Sequence, residues 1–243
     1  MSLVEEQPQQ SAKPALSVVP DAPEREVKII DLDTDFARTW PARFVRALYT
    51  TLILRPMRAI FAPTTVVDRD NVADLAGPCV FAANHSSHAD TMVVSLALPR
   101  RRRARLVVAA AADYFFTKRR TAVFSAVTVP AIPVHRERVQ RKTLDLCHRL
   151  LGEGWSVLLY PEGGRSADGQ LREFKPGAAW IARRAGVPVV PTRIIGTHDV
   201  LPKGRSFPKR AKVEVRFGTP LVVEDGESAK EFNVRIEKAV RSL

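Results

Sequence analysis

The sequence predicts an α/β domain built on a mostly parallel central sheet flanked by helices, with an N-terminal amphipathic helical segment in front of it. Three observations carry this expectation. Beyond residue 63, short apolar runs alternate with helical patterns, the order that places a parallel sheet between helices. A chain of 243 residues with 45% apolar composition can bury a full core, and its length fits one domain with an appendage. The chemically unusual residues follow directly after apolar runs, where the carboxyl ends of strands in such sheets open into a cleft.

Taken in order, residues 1–35 hold Pro8, Pro14, Pro20 and Pro23, several Gln and Glu, and no aromatic residue. Such a stretch does not offset the entropy of ordering, and a disordered tail is expected. Residues 36–62 change character: Trp40, Phe44, Leu48 and Leu52 recur at four-residue spacing, with Arg43, Arg46, Arg55 and Arg58 between them. This predicts a basic amphipathic helix, kinked at Pro56. Two readings stand for it. One is a membrane-interface anchor, where each arginine near an anionic leaflet adds about 1 kcal/mol; the other is a helix packed on the domain. Residues 63–243 form the domain itself. Strands are predicted at Cys79–Ala83, Leu106–Ala110, Ala131–Val134, Ser156–Tyr160, Val189–Ile195 and Val213–Phe217, and helices near Thr91–Leu98, Val139–Leu151, Ala178–Ala185 and Ala229–Leu243. The uncharged run Thr121–Val134 is too short, and too broken by Pro130 and Pro133, to span a bilayer. It is expected to line a pocket or to form core.

Charge narrows the partners. The chain carries a formal +12, and residues 1–35 contain eight acids against three bases, so the rest is more basic still. That field favours nucleic acid, anionic lipid headgroups or phosphorylated substrates. No zinc-finger spacing or aromatic RNA-binding signature accompanies it, and with 7% aromatic residues stacking platforms are scarce, so no nucleic-acid partner is expected. Cys79 and Cys147 fit neither a metal-site spacing nor a disulfide framework. The first residues have neither the basic start nor the apolar stretch of a secretory signal, and a cytosol-facing location is expected.

The chemistry begins at Asn84-His85-Ser86-Ser87-His88-Ala89-Asp90. An apolar run ends in Asn84-His85 and helical character resumes by Thr91, which places His85 at a strand-to-helix junction. Four intervening residues let a loop and first helical turn bring Asp90 back to the imidazole, fixing one tautomer and leaving the other nitrogen free as a base. Two alternatives remain open on these residues alone. Ser87 to Asp90 fits a helix-start capping pattern, and His85, His88 and Asp90 are a conceivable metal set without a further clustered ligand.

A second constellation is Pro161-Glu162-Gly163-Gly164-Arg165-Ser166, where Gly163 and Gly164 allow close backbone approach to an anion and Arg165 supplies a bidentate phosphate donor. The plain alternative is a surface turn with Glu162 paired to Arg165. Upstream, Ile132-Pro133-Val134-His135-Arg136 ends another strand in an arginine, so Arg136 and Arg165 are candidates to converge on one phosphate, or else solvated charges. Lys175 precedes Pro176-Gly177 at a helix start, a position that favours anions.

Together these residues resemble the glycerophospholipid acyltransferases, the 1-acylglycerol-3-phosphate acyltransferase group marked by Asn-His-x4-Asp. Asn84 to Asp90 is similar to its first motif, Val134-His135-Arg136 to the second, Tyr160 to Ser166 to the third and Val189-Val190-Pro191 to the fourth, over about Thr64 to Leu221. The resemblance implies a glycerolipid acyltransferase-like fold and a domain of that kind at 63–243. It implies His85 as general base, Asp90 as its partner, and Arg136, Glu162 and Arg165 as acceptor-headgroup contacts supported by Gly163 and Gly164. It also implies transfer from an acyl-CoA or acyl carrier protein thioester, without a further cofactor or metal, to the hydroxyl of a lysophosphatidic acid-like acceptor in phospholipid biosynthesis. The place of action would be peripheral, on the cytoplasmic face of an anionic membrane. No Gly-x-Ser-x-Gly elbow is present, so Ser86 and Ser87 read as positioning residues rather than nucleophiles. Tyr160, Gly164 and His135 depart from the group's usual Phe, Thr and acidic or other polar residue. They leave open another lysophospholipid or lyso-aminolipid acceptor, with a non-catalytic anionic-lipid-binding protein as the rival class.

Overall fold

The computed structural model describes residues 29–30, 32–134 and 141–243. Its strands are β1 (Thr64–Val67), β2 (Val80–Ala83), β3 (Leu106–Ala111), β4 (Ala131–Val134), β5 (Ser156–Leu159), β6 (Val189–Ile195) and β7 (Val213–Phe217). Its helices are α1 (Trp40–Tyr49), α2 (Arg55–Phe61), α3 (Asp70–Ala73), α4 (Ala89–Ala97), α5 (Arg100–Arg103), α6 (Ala112–Phe115), α7 (Arg119–Thr128), α8 (Arg141–Gly152), α9 (Gly177–Ala185), α10 (Thr197–Val200) and α11 (Ala229–Ser242).

The strands form one sheet in the order β1-β7-β6-β2-β5-β3-β4. All neighbours are parallel except β6 and β7. The sheet is mostly parallel, as expected, and it is covered on both faces. Alternation along β2 makes this visible. Phe81 and Ala83 join Val93, Val94, Ala97 and Leu98 of the α4 layer, whereas Val80 and Ala82 join Cys147, Leu150, Ile181, Phe232 and Ile236 from α8, α9 and α11. A strand buried on both faces reads as a continuous apolar run, which is why the central strands were legible.

Strand β1 and helix α7 were not predicted. Thr64-Thr65-Val66-Val67 has no strong apolar run and sits at the sheet edge. Helix α7 buries Ala122, Ser125, Ala126 and Thr128, residues too small and polar to give a hydrophobic period, while Thr128, Val129 and Pro130 line a cavity. The uncharged run therefore serves core and pocket alike.

Ordered packing begins before the expected boundary at Asp35. Ile29 and Leu32 pack against Ala110, Phe116, Ala122 and Ala131, the Ile30 amide donates to the Phe116 carbonyl at 2.8 Å, and Asp35 pairs with Arg149 at 2.9 Å.

From Trp40 to Phe61 the chain is helical throughout, with a π-helical stretch at Thr50–Leu54. Pro56 lacks an N–H and its ring crowds the carbonyl four residues earlier, and the wider π turn before it relieves that conflict. This rod presents an unexpected face to the domain. Trp40, Phe44, Leu48 and Leu52 point outward, at 78%, 65%, 50% and 60% exposure. The side that packs carries Arg46, whose guanidinium donates to the carbonyls of Val127 (2.8 Å), Ala37 (2.6 Å) and Ala126 (3.3 Å), and Tyr49, edge-on to Phe124 at 5.9 Å. The packed-helix reading holds for this second face, and the predicted apolar stripe is left uncovered.

Candidate active site

Strand β2 ends because a side chain continues its pairing. The buried Asn84 amide bridges the backbone of Ile194 on β6, donating to its carbonyl at 2.9 Å and accepting from its N–H at 2.7 Å. The main chain is thereby released to turn, and His85 emerges at the carboxyl end of the sheet.

The His85 Nδ1 lies 2.8 Å from Asp90 Oδ2. Asp90, in the first turn of α4, is fully buried. Its same oxygen accepts the backbone N–H groups of Ser86 at 2.8 Å and Ser87 at 2.9 Å. Helix capping and imidazole orientation are thus one arrangement: the carboxylate collects the loop's amides and the ring together. The serines are occupied elsewhere. Ser87 Oγ accepts from the Ala89 amide and donates to the Leu201 carbonyl, and Ser86 Oγ meets Thr197 Oγ1 at 3.1 Å. With Nδ1 facing a carboxylate, the bound tautomer is Nδ1–H, and Nε2 carries no hydrogen bond among the described residues.

The glycine loop after β5 clamps His85 on three sides. Tyr160 stacks on the imidazole at 4.1 Å and 18°, and its hydroxyl is tied to Thr91 Oγ1 at 2.9 Å. Glu162 Oε1 accepts the His85 N–H at 3.0 Å, and the Ser166 N–H donates to the His85 carbonyl at 2.9 Å. Glu162 therefore turns inward rather than pairing with Arg165. Burial raises its carboxyl to about 7, against the amides of His85 and Arg172 that favour the anion. Gly163 has φ +73°, where any other residue is strained, and a Cβ there would stand 3.0 Å from Lys175 Nζ, so Lys175 lies over the loop. Open space surrounds the Gly164 position. Arg165 is close enough to His88 to disfavour its protonation, which burial pushes down to about 4. His85, Asp90, Glu162, Gly163, Gly164, Arg165 and Lys175 thus gather at one end of the sheet. Arg136 lies outside the described residues.

Sequence reading considered His88 only as a conceivable metal ligand and missed the wall opposite it. His88 Nε2 lies 3.4 Å from the Tyr114 hydroxyl, and Phe115 stands edge-on to its ring. No group of three or more His, Cys, Asp or Glu placed to hold a metal occurs among the described residues. Beside His88 and Thr91 opens a largely apolar cavity of about 360 Å³. It runs between α4, through Met92 and Leu96, and the inner face of the rod, through Tyr49, Leu54, Met57 and Phe61. Only the tertiary docking of the rod creates it, so no local pattern announced it.

Comparison with known proteins places these features. The family model described as Acyltransferase matches residues 63–195. A 1-acyl-sn-glycerol-3-phosphate acyltransferase of Chlamydomonas reinhardtii is 32% identical over 171 residues, 70% of this chain and 49% of that protein. The chloroplastic enzyme BAT2 of Brassica napus is 30% identical over 170 residues, 66% of this chain and 44% of that protein. The chain spans about half the length of these curated relatives. Among solved structures, the 1-acyl-sn-glycerophosphate acyltransferase PlsC of Thermotoga maritima superposes with a TM-score of 0.66 at 22% identity, covering 83% of this chain and 79% of that one. The last likeness is one of fold.

Proposed function

The chain belongs to the acyltransferase family, and from that membership we propose that it transfers an acyl group from a thioester, acyl-CoA or acyl carrier protein, to the free hydroxyl of a lysophosphatidic acid-like acceptor. His85 is the general base. The observation that carries this reading is a histidine held at Nδ1 by a buried carboxylate, with Nε2 carrying no hydrogen bond among the described residues.

The acceptor hydroxyl gives its proton to His85 Nε2 as its oxygen attacks the thioester carbonyl. The imidazolium that forms is stabilised by Asp90. Collapse of the tetrahedral adduct breaks the C–S bond, and the thiolate takes the proton back from Nε2, so base and acid are one group and no acyl-enzyme intermediate forms. Arg165 and Lys175, with Arg136, supply the cationic contacts for the acceptor phosphate, and Glu162 acts by holding the His85 backbone. The acyl chain occupies the cavity along α4, where each buried methylene contributes about 0.8 kcal/mol.

The enzyme works on the cytoplasmic face of an anionic membrane. Support comes from the uncovered Trp40, Phe44, Leu48 and Leu52 stripe interleaved with arginines, and from Phe207, 82% exposed between Lys203, Arg205, Lys209 and Arg210. No helix among the described residues is long and apolar enough to cross a membrane. The test is His85→Ala against wild type, with labelled acyl-CoA or acyl carrier protein thioester and a panel of lysolipid acceptors read by thiol release and mass spectrometry. Loss of transfer with retained folding and vesicle binding is expected; turnover by the variant, or consumption of neither acyl-CoA nor acyl carrier protein thioester by wild type, overturns the assignment.

A further inference from the structure

At the pole of the sheet opposite His85 lies a second cavity of about 560 Å³. It is formed by the segments that lead into the three adjacent strands β2, β5 and β3. Four consecutive arginines, Arg100 to Arg103, make up α5, and three of them line this cavity together with Arg105. Every polar side chain in its wall is a donor: the guanidiniums of Arg100, Arg101, Arg102 and Arg105, and the hydroxyl of Ser156. No carboxylate lines it, and none forms an ion pair with these arginines among the described residues. In a basic chain most arginines are solvated charge, so the wall's construction matters more than their number.

Two features make this wall a built one. Arg102 is fixed, donating to the carbonyls of Gly77 at 2.8 Å and of Leu75, and Arg105 donates to the Glu153 carbonyl at 3.3 Å. Ser156 is 2% exposed. Its oxygen accepts from the Cys79 N–H at 3.2 Å and shares a hydrogen bond with the Cys79 thiol at 3.7 Å, which holds the hydroxyl in place at the cavity wall. Guanidiniums held around one cavity with no carboxylate in its wall offer their remaining N–H groups to an anion. Val72, Leu75, Pro78 and Pro99 supply an apolar wall alongside, which suits an amphiphile rather than a bare ion.

We propose that this cavity is a second phosphate-ester site, separate from the acceptor site, that takes the phosphate of an amphiphilic ester with its apolar part against Pro78 and Pro99. The strand β2 spans four residues between the two poles, on the order of 13 Å at strand spacing. A molecule bound here does not reach His85, so the site anchors or regulates and does not hold the reacting acceptor. A membrane phospholipid headgroup and a soluble phosphate ester present the same chemistry to it, and experiment separates them.

The probes are inorganic pyrophosphate, titrated calorimetrically into the full chain, and flotation with phosphatidylcholine vesicles with and without phosphatidic acid. The Arg100→Gln/Arg101→Gln double variant is compared with Arg183→Gln/Lys238→Gln, which removes the same charge elsewhere. The expected result is a loss of about tenfold or more in pyrophosphate affinity for the first pair only, with acyl transfer to a short-chain soluble acceptor unchanged. If phosphatidic acid-dependent flotation falls with it, the occupant is a headgroup; if flotation is intact, it is a soluble ester, and the site stands in either case. Equal weakening by the two pairs, or an unchanged isotherm, overturns the proposal. Because the readout is binding, its failure is distinct from any failure of the acyl-transfer reading.

Discussion

Replacing Asp90 by Asn separates what the carboxylate does by charge from what it does by geometry. All three donors, from His85, Ser86 and Ser87, meet the same oxygen, Oδ2, while Oδ1 has no partner among the described residues. An asparagine has one oxygen, and the two backbone N–H groups select the rotamer that puts it where Oδ2 stood, since the opposite rotamer would set an NH2 against two donors. The amide then still accepts Nδ1–H, so ring orientation and tautomer survive. What disappears is the negative charge opposite the imidazolium. At a charge separation of about 4 Å and an effective dielectric near 20 this is ~4 kcal/mol, or about a thousandfold in kcat/KM. Asp90→Ala is different in kind. It strands two buried N–H groups at about 1–3 kcal/mol each, a large share of the stability of a domain this size. The assays are thiol release with acyl-CoA and lysophosphatidic acid, and guanidinium unfolding of both variants. Asp90→Asn is expected to lose about a thousandfold in kcat/KM with a much smaller stability loss than Asp90→Ala. A variant within tenfold of wild-type activity would refute the imidazolium step, and one as unstable as the alanine would refute the rotamer argument.

Three further outcomes are expected. The Glu162 carboxyl, raised to about 7 from an ordinary 4.5, holds its proton more tightly in the folded state, so its contribution is complete below pH 4.5 and is lost as pH rises through 7. Glu162→Gln should therefore gain on the order of 3 kcal/mol relative to wild type between pH 4.5 and pH 8.5, measured by urea unfolding at both pH values; a constant difference contradicts it. Phe207→Ser should weaken flotation with anionic vesicles about tenfold while leaving turnover of a water-soluble short-chain substrate intact, and unchanged flotation removes that loop from the membrane surface. Leu96→Trp fills part of the 360 Å³ cavity and should move the acyl-CoA preference to shorter chains by mass spectrometry, whereas an unchanged optimum places the chain elsewhere.

The central strands and the loops after them were legible because a strand buried on both faces must be apolar along its length, as in Val80–Ala83 and Ser156–Leu159, and because glycine, histidine and carboxylate interrupt such runs abruptly. Spacing allowed the His85–Asp90 pair but left helix capping and a metal set open beside it, and only the resemblance of the motifs taken together implied the pair. What stayed hidden depended on partners distant in sequence. The Asn84 bridge to Ile194 spans 110 residues, and the inward turn of Glu162 onto the His85 amide spans 77. Local reading offered a surface pair with Arg165 or a headgroup contact, and neither spacing nor composition reveals a backbone acceptor role. Strand β1 was missed because an edge strand needs no apolar run.

The rod at Trp40–Phe61 shows how one amphipathic pattern serves two apolar environments. Its periodicity was read as a single stripe, Trp40, Phe44, Leu48 and Leu52. In the structure a second set, Tyr49, Leu54, Met57 and Phe61, faces inward and walls the cavity, so apolar surface lies on both sides with arginines between. A helix that spends its main stripe on the outside must be tied to the domain by other means. Those ties are polar: Arg46 on three carbonyls, Arg210 on the Ile60 carbonyl at 3.1 Å, and the Ala211 amide on the Phe61 carbonyl at 2.9 Å. Hydrogen bonds of charged groups contribute about 1.5–3 kcal/mol each and do not compete for the outward stripe. Completing the burial of that stripe in a bilayer would add on the order of 5 kcal/mol. The membrane docking proposed above would thus draw on apolar surface that the fold has not used, while the inner face of the rod lines the cavity.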